Sequence, residues 1–173
     1  MSQVTLPSGG LAGLRRAIED TAPGVAVRAL REAGRRLAGD AEVALTASLT
    51  APLSDLSVPD FWDQMSRYFQ AAGWGHLQHE PMSDGIGAAV TRDWAESDPT
   101  EAREAPGCHL STGLLAEILS RVAGEPVAVL EASCRSRGDD ACRFLFGAPS
   151  TLISVHRRLS EGRTLEEALG SAS

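Results

Sequence analysis

Long hydrophobic runs are missing from this chain. Hydrophobic residues make up 43% of its 173 positions, yet no apolar stretch approaches the roughly 18 residues needed to cross a bilayer. The expectation is a soluble protein with no membrane span. Residues Met1 to Gly10 have neither a basic end nor an apolar segment, so a secretion signal has no support. Basic charge is also short: 23 acidic side chains stand against 16 basic ones, a formal net charge of −7. Nucleic-acid affinity rests on basic side chains that neutralise phosphates, so direct nucleic-acid binding is not expected. Arg15-Arg16, Arg28, Arg31, Arg35-Arg36 and Arg157-Arg158 mostly stand beside Glu19, Glu32 and Glu161 on helical patterns, as solvated faces do.

Catalytic signatures are lacking too. No G-x-S-x-G, H-E-x-x-H, Walker or G-x-G-x-x-G pattern occurs, and no nucleophile–base pair stands out. The four histidines do not assemble by spacing. His109 follows a cysteine, His156 lies on an amphipathic helix pattern, and His76 and His79 sit three apart on a predicted strand, hence on opposite faces. No catalytic residue is assigned, and the chain does not read as an enzyme.

Cysteine is scarce, and all of it falls in one stretch. Cys108, Cys134 and Cys142, with Glu131 between the first two, form a C-x22-E-x2-C-x7-C pattern. An odd count without a signal peptide argues against a disulfide framework. The residues read as a four-ligand metal site. Cys108 follows Pro106-Gly107 and precedes Leu110, Leu114, Leu115, Ile118, Leu119 and Val122, an apolar set with helical spacing. It therefore falls near a helix N-terminus, where unpaired N–H groups favour a thiolate. Gly124-Glu125-Pro126 stops the helix, and Val127 to Glu131 reads as a buried strand. Arg135 to Asp140 is a turn, and Cys142 to Phe146 returns as the partner strand. Glu131 and Cys134 can share one ion only if the chain bends between them.

Three thiolates and a carboxylate carry four negative charges, so a divalent ion leaves the cluster at −2. Soft sulfur in a tetrahedral set favours zinc or an iron–sulfur centre, and zinc is the choice here; a site with four protein ligands is closed and structural. Arg135, Arg137 and Arg143 are expected to offset the residual charge. The competing reading is that three small apolar cysteines are simply buried, and without a CxxC pair the spacing leaves both open.

At these residues the chain resembles the V4R (4-vinyl reductase) domain family. The E-x-x-C-x7-C-x-F run from Glu131 to Phe144 carries most of the resemblance, which by overall pattern spans about residues 10 to 170. It implies zinc held by Cys108, Glu131, Cys134 and Cys142. It also implies an α+β fold with an antiparallel sheet against helices, similar to subunits of the TRAPP vesicle-tethering complex. In sensors of the family a hydrophobic cavity beside the zinc takes a small aromatic ligand, with a histidine and a tryptophan gripping its polar group. Trp94 matches that tryptophan by its place after the second strand; the histidine has no match between Asp60 and Ala72.

The rest of the chain fits a single domain. Residues 1–10 are expected to be a flexible lead. Helices are predicted from Leu11 to Ala22 and from Val25 to about Leu37, where Gly39-Asp40 interrupts, with helix resuming from Ala41 to Leu49. Their small-residue faces predict close packing, against the sheet or against a second copy in a homodimer. Asp60 is expected to cap a helix carrying Phe61, Trp62, Met65, Tyr68 and Phe69, with half of the aromatic side chains in a protein of only 5% aromatics. Two strands follow, Trp74 to Glu80 and Ile86 to Arg92, joined by a turn over Pro81 to Gly85. Ser97 to Gly107, polar and broken by Pro99 and Pro106, reads as a mobile loop and a lid. Helices at 148–162 and 164–169 close the chain.

The resulting expectation is a cytoplasmic, zinc-containing module. Its pocket, lined by Phe61, Met65, Phe69 and Trp94, binds a small hydrophobic or aromatic molecule and passes its state to a partner protein. The alternatives are an accessory protein or enzyme of tetrapyrrole metabolism, and a TRAPP-like assembly subunit.

Overall fold

The computed structural model describes residues 9–47, 49–83 and 85–170; the expected lead over residues 1–10 falls almost wholly outside them. The fold is α+β. A four-stranded antiparallel sheet, in the order β1-β2-β4-β3, is built from β1 (Gln78–Ser83), β2 (Ile86–Thr91), β3 (Ala128–Ser133) and β4 (Cys142–Gly147). Helices α1 (Gly10–Thr21), α2 (Ala26–Thr46), α3 (Val58–Ala71) and α4 (His109–Ala123) precede or interrupt the sheet, and α5 (Pro149–Ser160) and α6 (Leu165–Ala168) follow it.

Alternation along the strands divides the interior in two. Ala89, Phe144, Phe146 and Val129 face α2, α3 and α4, together with Met65, Phe69, Leu114 and Ile118. Ala88, Val90, Leu130 and Leu145 face the opposite way and pack under α5 and α6, against Leu152, Val155 and Ala168. The central strand β2 is therefore buried along its whole length, which explains why its sequence, IGAAVT, has no polar face.

Helix α2 runs unbroken from Ala26 to Thr46 through Gly39-Asp40, where an interruption was expected. One glycine in a helix costs only about 1 kcal/mol, and the buried stripe Ala26, Leu30, Gly34, Ala38, Ala41, Leu45 continues across it. That stripe lies along α4. A Cβ on Gly34 would strike the backbone at Leu110 and Leu114, and one on Gly113 the carbonyl of Arg31, so the two helices meet backbone to backbone. The small residues thus serve contact within the protomer.

Three local readings are corrected. The cap of α3 is Ser57, not Asp60: its hydroxyl accepts the Asp60 N–H at 3.3 Å, and Pro59 lies in the first turn, where a missing N–H costs nothing. Strand β1 begins at Gln78 and extends through Pro81 to Ser83; it is an edge strand whose register shifts between Pro81 and Ser83, a setting where proline is tolerated in a sheet. The segment 97–107 is fastened, not free. The Asp98 and Arg103 amides donate to Ser136 Oγ and O at 2.8 and 2.7 Å. Glu101 takes the buried guanidinium of Arg15 on α1, and Arg103 reaches Glu19 at 2.8 Å.

Candidate metal centre and cavity

Cys108 is the N-cap of α4, but its side chain makes no capping bond. Its sulfur turns inward instead, to within 3.8 Å of Cys134 Sγ and 4.0 Å of Cys142 Sγ. Glu131 comes from β3, where the register with β4 shifts between Glu131 and Ser133, giving the bend that shared ligation requires. Cys134 lies just beyond that strand, and Cys142 opens β4. The turn between them is held by Asp139, which accepts the Cys134 N–H at 2.7 Å and pairs with Arg137 at 2.8 Å. All four side chains are buried, and one ligand atom from each lies within 4.8 Å of every other.

These residues suit a cation. Zinc–sulfur bonds of about 2.3 Å in a tetrahedron place sulfurs about 3.8 Å apart, the spacing seen here. Glu131 Oε2 accepts the Cys108 amide at 2.7 Å, while Oε1 is buried with no hydrogen-bond partner. A buried carboxylate oxygen without a donor is costly, and a cation among the thiols would satisfy it. The protonation balance points the same way. Burial, then the charge of Cys134, pushes Glu131 well above the usual carboxylate range. Hydrogen bonds from Cys108 and then Cys142 lower the Cys134 thiol. Cys108 is raised well above an ordinary thiol by its bonds to Cys134 and Cys142. Cys142 is drawn down by Cys108, but Cys134 and burial outweigh this and carry it to about 12. Of the four groups only Cys134 is drawn toward its ionised form, by the thiols beside it; a divalent ion would supply the field that four ionised ligands need.

The expected arginine shell is not there. Arg137 and Arg143 pair with Asp139 and Glu80; at Arg135 it is the backbone amide that reaches Cys142 Sγ, at 3.4 Å. Backbone N–H groups near the sulfurs take the place assigned to guanidinium groups.

Since Cys108 spends its side chain on the cluster, α4 needs another cap. Glu96 supplies it from a remote segment, accepting the Leu110 and Ser111 amides at 2.9 and 2.8 Å and also the Ser111 hydroxyl. It is fully buried, and burial raises its pKa against the lowering effect of the Ser111 bonds. The Trp94 indole N–H donates to Ser111 Oγ at 2.6 Å, so Trp94, Ser111 and Glu96 form one chain of bonds at the foot of α4. Sequence reading passed over Glu96; its place three residues ahead of Pro99 gives no capping signature, because the helix it caps begins 13 residues later.

Of the residues expected to line a pocket, the structure places Phe61 on a cavity and the other three beneath it. Met65, Phe69 and Trp94 are closed into the interior, where Trp94 packs against Phe69, Trp74 and Phe144 with ring centroids 5.3 to 5.9 Å apart. The cavity, about 520 Å³, lies between the turn at Leu53–Leu56, the start of α3, the β1–β2 end and the last turn of α4. Phe61, Trp62, Leu119, Val122 and Phe146 give it largely apolar walls, and His79 adds an imidazole to them. His79 stacks flat on Trp62 at 5.0 Å with planes 1° apart, and Phe146 lies 5.2 Å from the same indole. Trp62 and His79 were missed as a pair because register, not spacing, brings them together. The other histidine of the β1 region, His76, places Nδ1 3.0 Å from Ser66 Oγ, while Asp93 takes its backbone amide and not its ring.

Residues 94–148, which include the Cys/Glu cluster, match the model of the V4R domain. No curated protein matches the sequence at a significant level. Among solved structures, the chain is similar to the phenol-responsive sensory domain of the transcription activator PoxR with phenol, at 16% identity and a TM-score of 0.70, covering 95% of this chain and 85% of that one. It is similar to a vinyl-4-reductase family protein from Methanocaldococcus jannaschii at 17% identity and a TM-score of 0.54, over 84% and 83% of the two chains. It is also similar to a trafficking protein particle complex subunit 3 from Naegleria fowleri covalently bound to palmitic acid, at 12% identity and a TM-score of 0.62, over 81% and 93%. Identities this low speak for the fold.

Proposed function

We propose that this chain is a zinc-containing V4R-type binding module that holds a small, uncharged aromatic or hydrophobic molecule and passes its state to a partner protein. The observation that carries this reading is the apolar cavity of about 520 Å³, within the range of small-molecule sites. Two of its walls, α4 and β4, begin at the Cys/Glu cluster: Cys108 immediately precedes the helix whose far end offers Leu119 and Val122, and Cys142 opens the strand that ends near Phe146. Zinc would be held by Cys108, Glu131, Cys134 and Cys142 and would fix the near ends of both walls. Rigid walls favour binding without an ordering cost.

His79 narrows the ligand class. Its ring has no hydrogen-bond partner among the described residues, and burial lowers its pKa, so at neutral pH it is uncharged, with one N–H and one lone pair to offer. A ligand with a flat apolar body and a single hydroxyl or carbonyl group suits it, and the likeness to a phenol-responsive domain supports that class. Thiol ligation calls for a reducing compartment, so the cytoplasm is the proposed location, and a homodimer built on α1 and α2 is the proposed assembly. No helix among the described residues is long and apolar enough to cross a membrane.

A second reading, an assembly subunit with an acyl chain in the cavity, is favoured by the likeness to the palmitate-bound subunit. Native mass spectrometry of the purified protein and titration with phenol separate the two. Phenol binding that is lost in Trp62→Ala and Phe146→Ala at unchanged zinc content supports the sensor reading. A retained fatty acid with no phenol binding would replace it with the second.

A further inference from the structure

A second large cavity, about 640 Å³, opens elsewhere on the molecule, between the first turn of α4, strand β3 and helix α5. Its charge runs against that of the whole chain. Arg31, Arg137, Arg143 and Arg163 line it, with His109 and His156, in a protein whose formal net charge is −7. Among the described residues Glu131 is the sole carboxylate on the wall, and it accepts the Cys108 amide at 2.7 Å.

The arginines are incompletely answered by the protein. Arg137 and Arg143 have ion pairs, with Asp139 at 2.8 Å and Glu80 at 3.1 Å. Arg163 meets Glu161 only at 3.6 Å. Arg31 has no ion pair among the described residues, although α2 elsewhere pairs Arg35 and Arg36 with Glu32. Arg143 Nε is buried without an acceptor. Arg31 and Arg163, both exposed and on the wall of the cleft, are the guanidinium groups left free to meet an acceptor there.

We propose that this cleft is an anion site, which takes a phosphate or carboxylate group carried by a small molecule. Arg31 from α2 and Arg163 from the turn after α5 approach the group from two elements. Guanidinium groups match such oxyanions because their N–H donors diverge in a planar fork. The cleft is larger than inorganic phosphate requires, so the anion is the handle of a larger molecule. This site is separate from the apolar cavity and does not depend on what that cavity holds.

The test uses the full, metal-loaded chain. Calorimetric titration with inorganic phosphate, and separately with succinate, is run against chloride at equal ionic strength, so that general screening is held constant. Saturable binding of one or both probes is expected, and which one saturates tells phosphate from carboxylate. Arg31 and Arg163 are exposed, so the double variant Arg31→Ala, Arg163→Ala should fold and keep its metal while binding the probe about tenfold more weakly or worse, as loss of charge-assisted bonds requires. Failure of both probes to saturate, or equal affinity in the double variant, would overturn the proposal.

Discussion

The Cys108 amide donates to Glu131 across 2.7 Å, tying the start of α4 to the bulge in β3. This bond uses one carboxylate oxygen and leaves the other buried and without a hydrogen-bond partner. A helix start and a strand kink are thereby set relative to one another before any ion is considered.

Metal content should follow from this geometry. About one zinc per chain is expected in protein purified without chelator, and Cys134→Ser or Cys142→Ser should empty the site. Structural zinc supplies on the order of 10 kcal/mol of apparent folding energy, so either variant should also be markedly less stable to urea. Glu131→Gln retains the three thiolates and should weaken binding less. Elemental analysis of the three variants beside the parent decides it; a metal-free parent would remove the zinc reading.

The contact of α2 with α4 predicts opposite outcomes for two glycines. Gly113→Ala would drive a Cβ into the Arg31 carbonyl, and because backbone cannot move aside cheaply, a loss of about 1–3 kcal/mol is expected. Gly39 lies inside α2 with nothing near its missing Cβ, so Gly39→Ala should gain up to about 1 kcal/mol from helix propensity. Denaturant midpoints measured on both variants check the pair, and equal shifts would mean that the helices do not touch at Gly113.

Much of the Cys/Glu cluster was legible because its features are local. A cysteine before a helical apolar pattern, a glutamate closing an apolar strand and a short turn between two cysteines are features of single elements. What could not be read depends on where elements meet. The Trp62–His79 stack joins α3 to β1, and the Glu96 cap joins a loop to a helix 13 residues on. Trp94 shows the limit most clearly: its place after β2 was readable, but whether it faces a cavity or closed packing depends on Phe69, Trp74 and Phe144 arriving around it. The interruption at Gly39 was misjudged for a related reason, since burial of Ala38, Ala41 and Leu45 against other elements outweighs one glycine.

Glu96 should leave a signature in the pH dependence of stability. Its pKa is raised above 4.5 in the folded protein, chiefly by burial. A carboxyl whose folded pKa exceeds its unfolded value binds more protons when folded, so its contribution to stability is full below the unfolded pKa and is lost as pH rises through the folded one. Glu96→Gln keeps an acceptor for the α4 amides but cannot titrate. The stability of the parent relative to this variant should therefore grow as pH falls from neutrality toward about 4.5. Taking the difference removes effects common to both proteins, including proton competition at the cysteines. Urea unfolding at several pH values in that range is the measurement, and a difference that shrinks on acidification would contradict the assignment.

Assembly gives the last prediction. The small residues of α2 are consumed by α4, which leaves a different set outside: Leu14, Val25, Val27, Leu37 and Val43 on α1, α2 and the turn between them are each 41% to 54% exposed. Scattered apolar side chains on a surface need no explanation, but Val27 and Leu37, ten residues apart and so about 80° apart around α2, stand on one side of that helix. A twofold homodimer is the commonest way for such a face to be covered, since each copy presents the same patch to the other. Light scattering at micromolar concentration should therefore give a mass near twice 18.2 kDa. Val27→Glu with Leu37→Glu should shift it to the monomer, because a charge at the centre of an apolar interface must be desolvated in both copies. Both positions are exposed in the protomer, so the double variant should keep its fold and its metal. A parent that already scatters as a monomer would mean that this face stays in water, and the double variant would then show no change in mass.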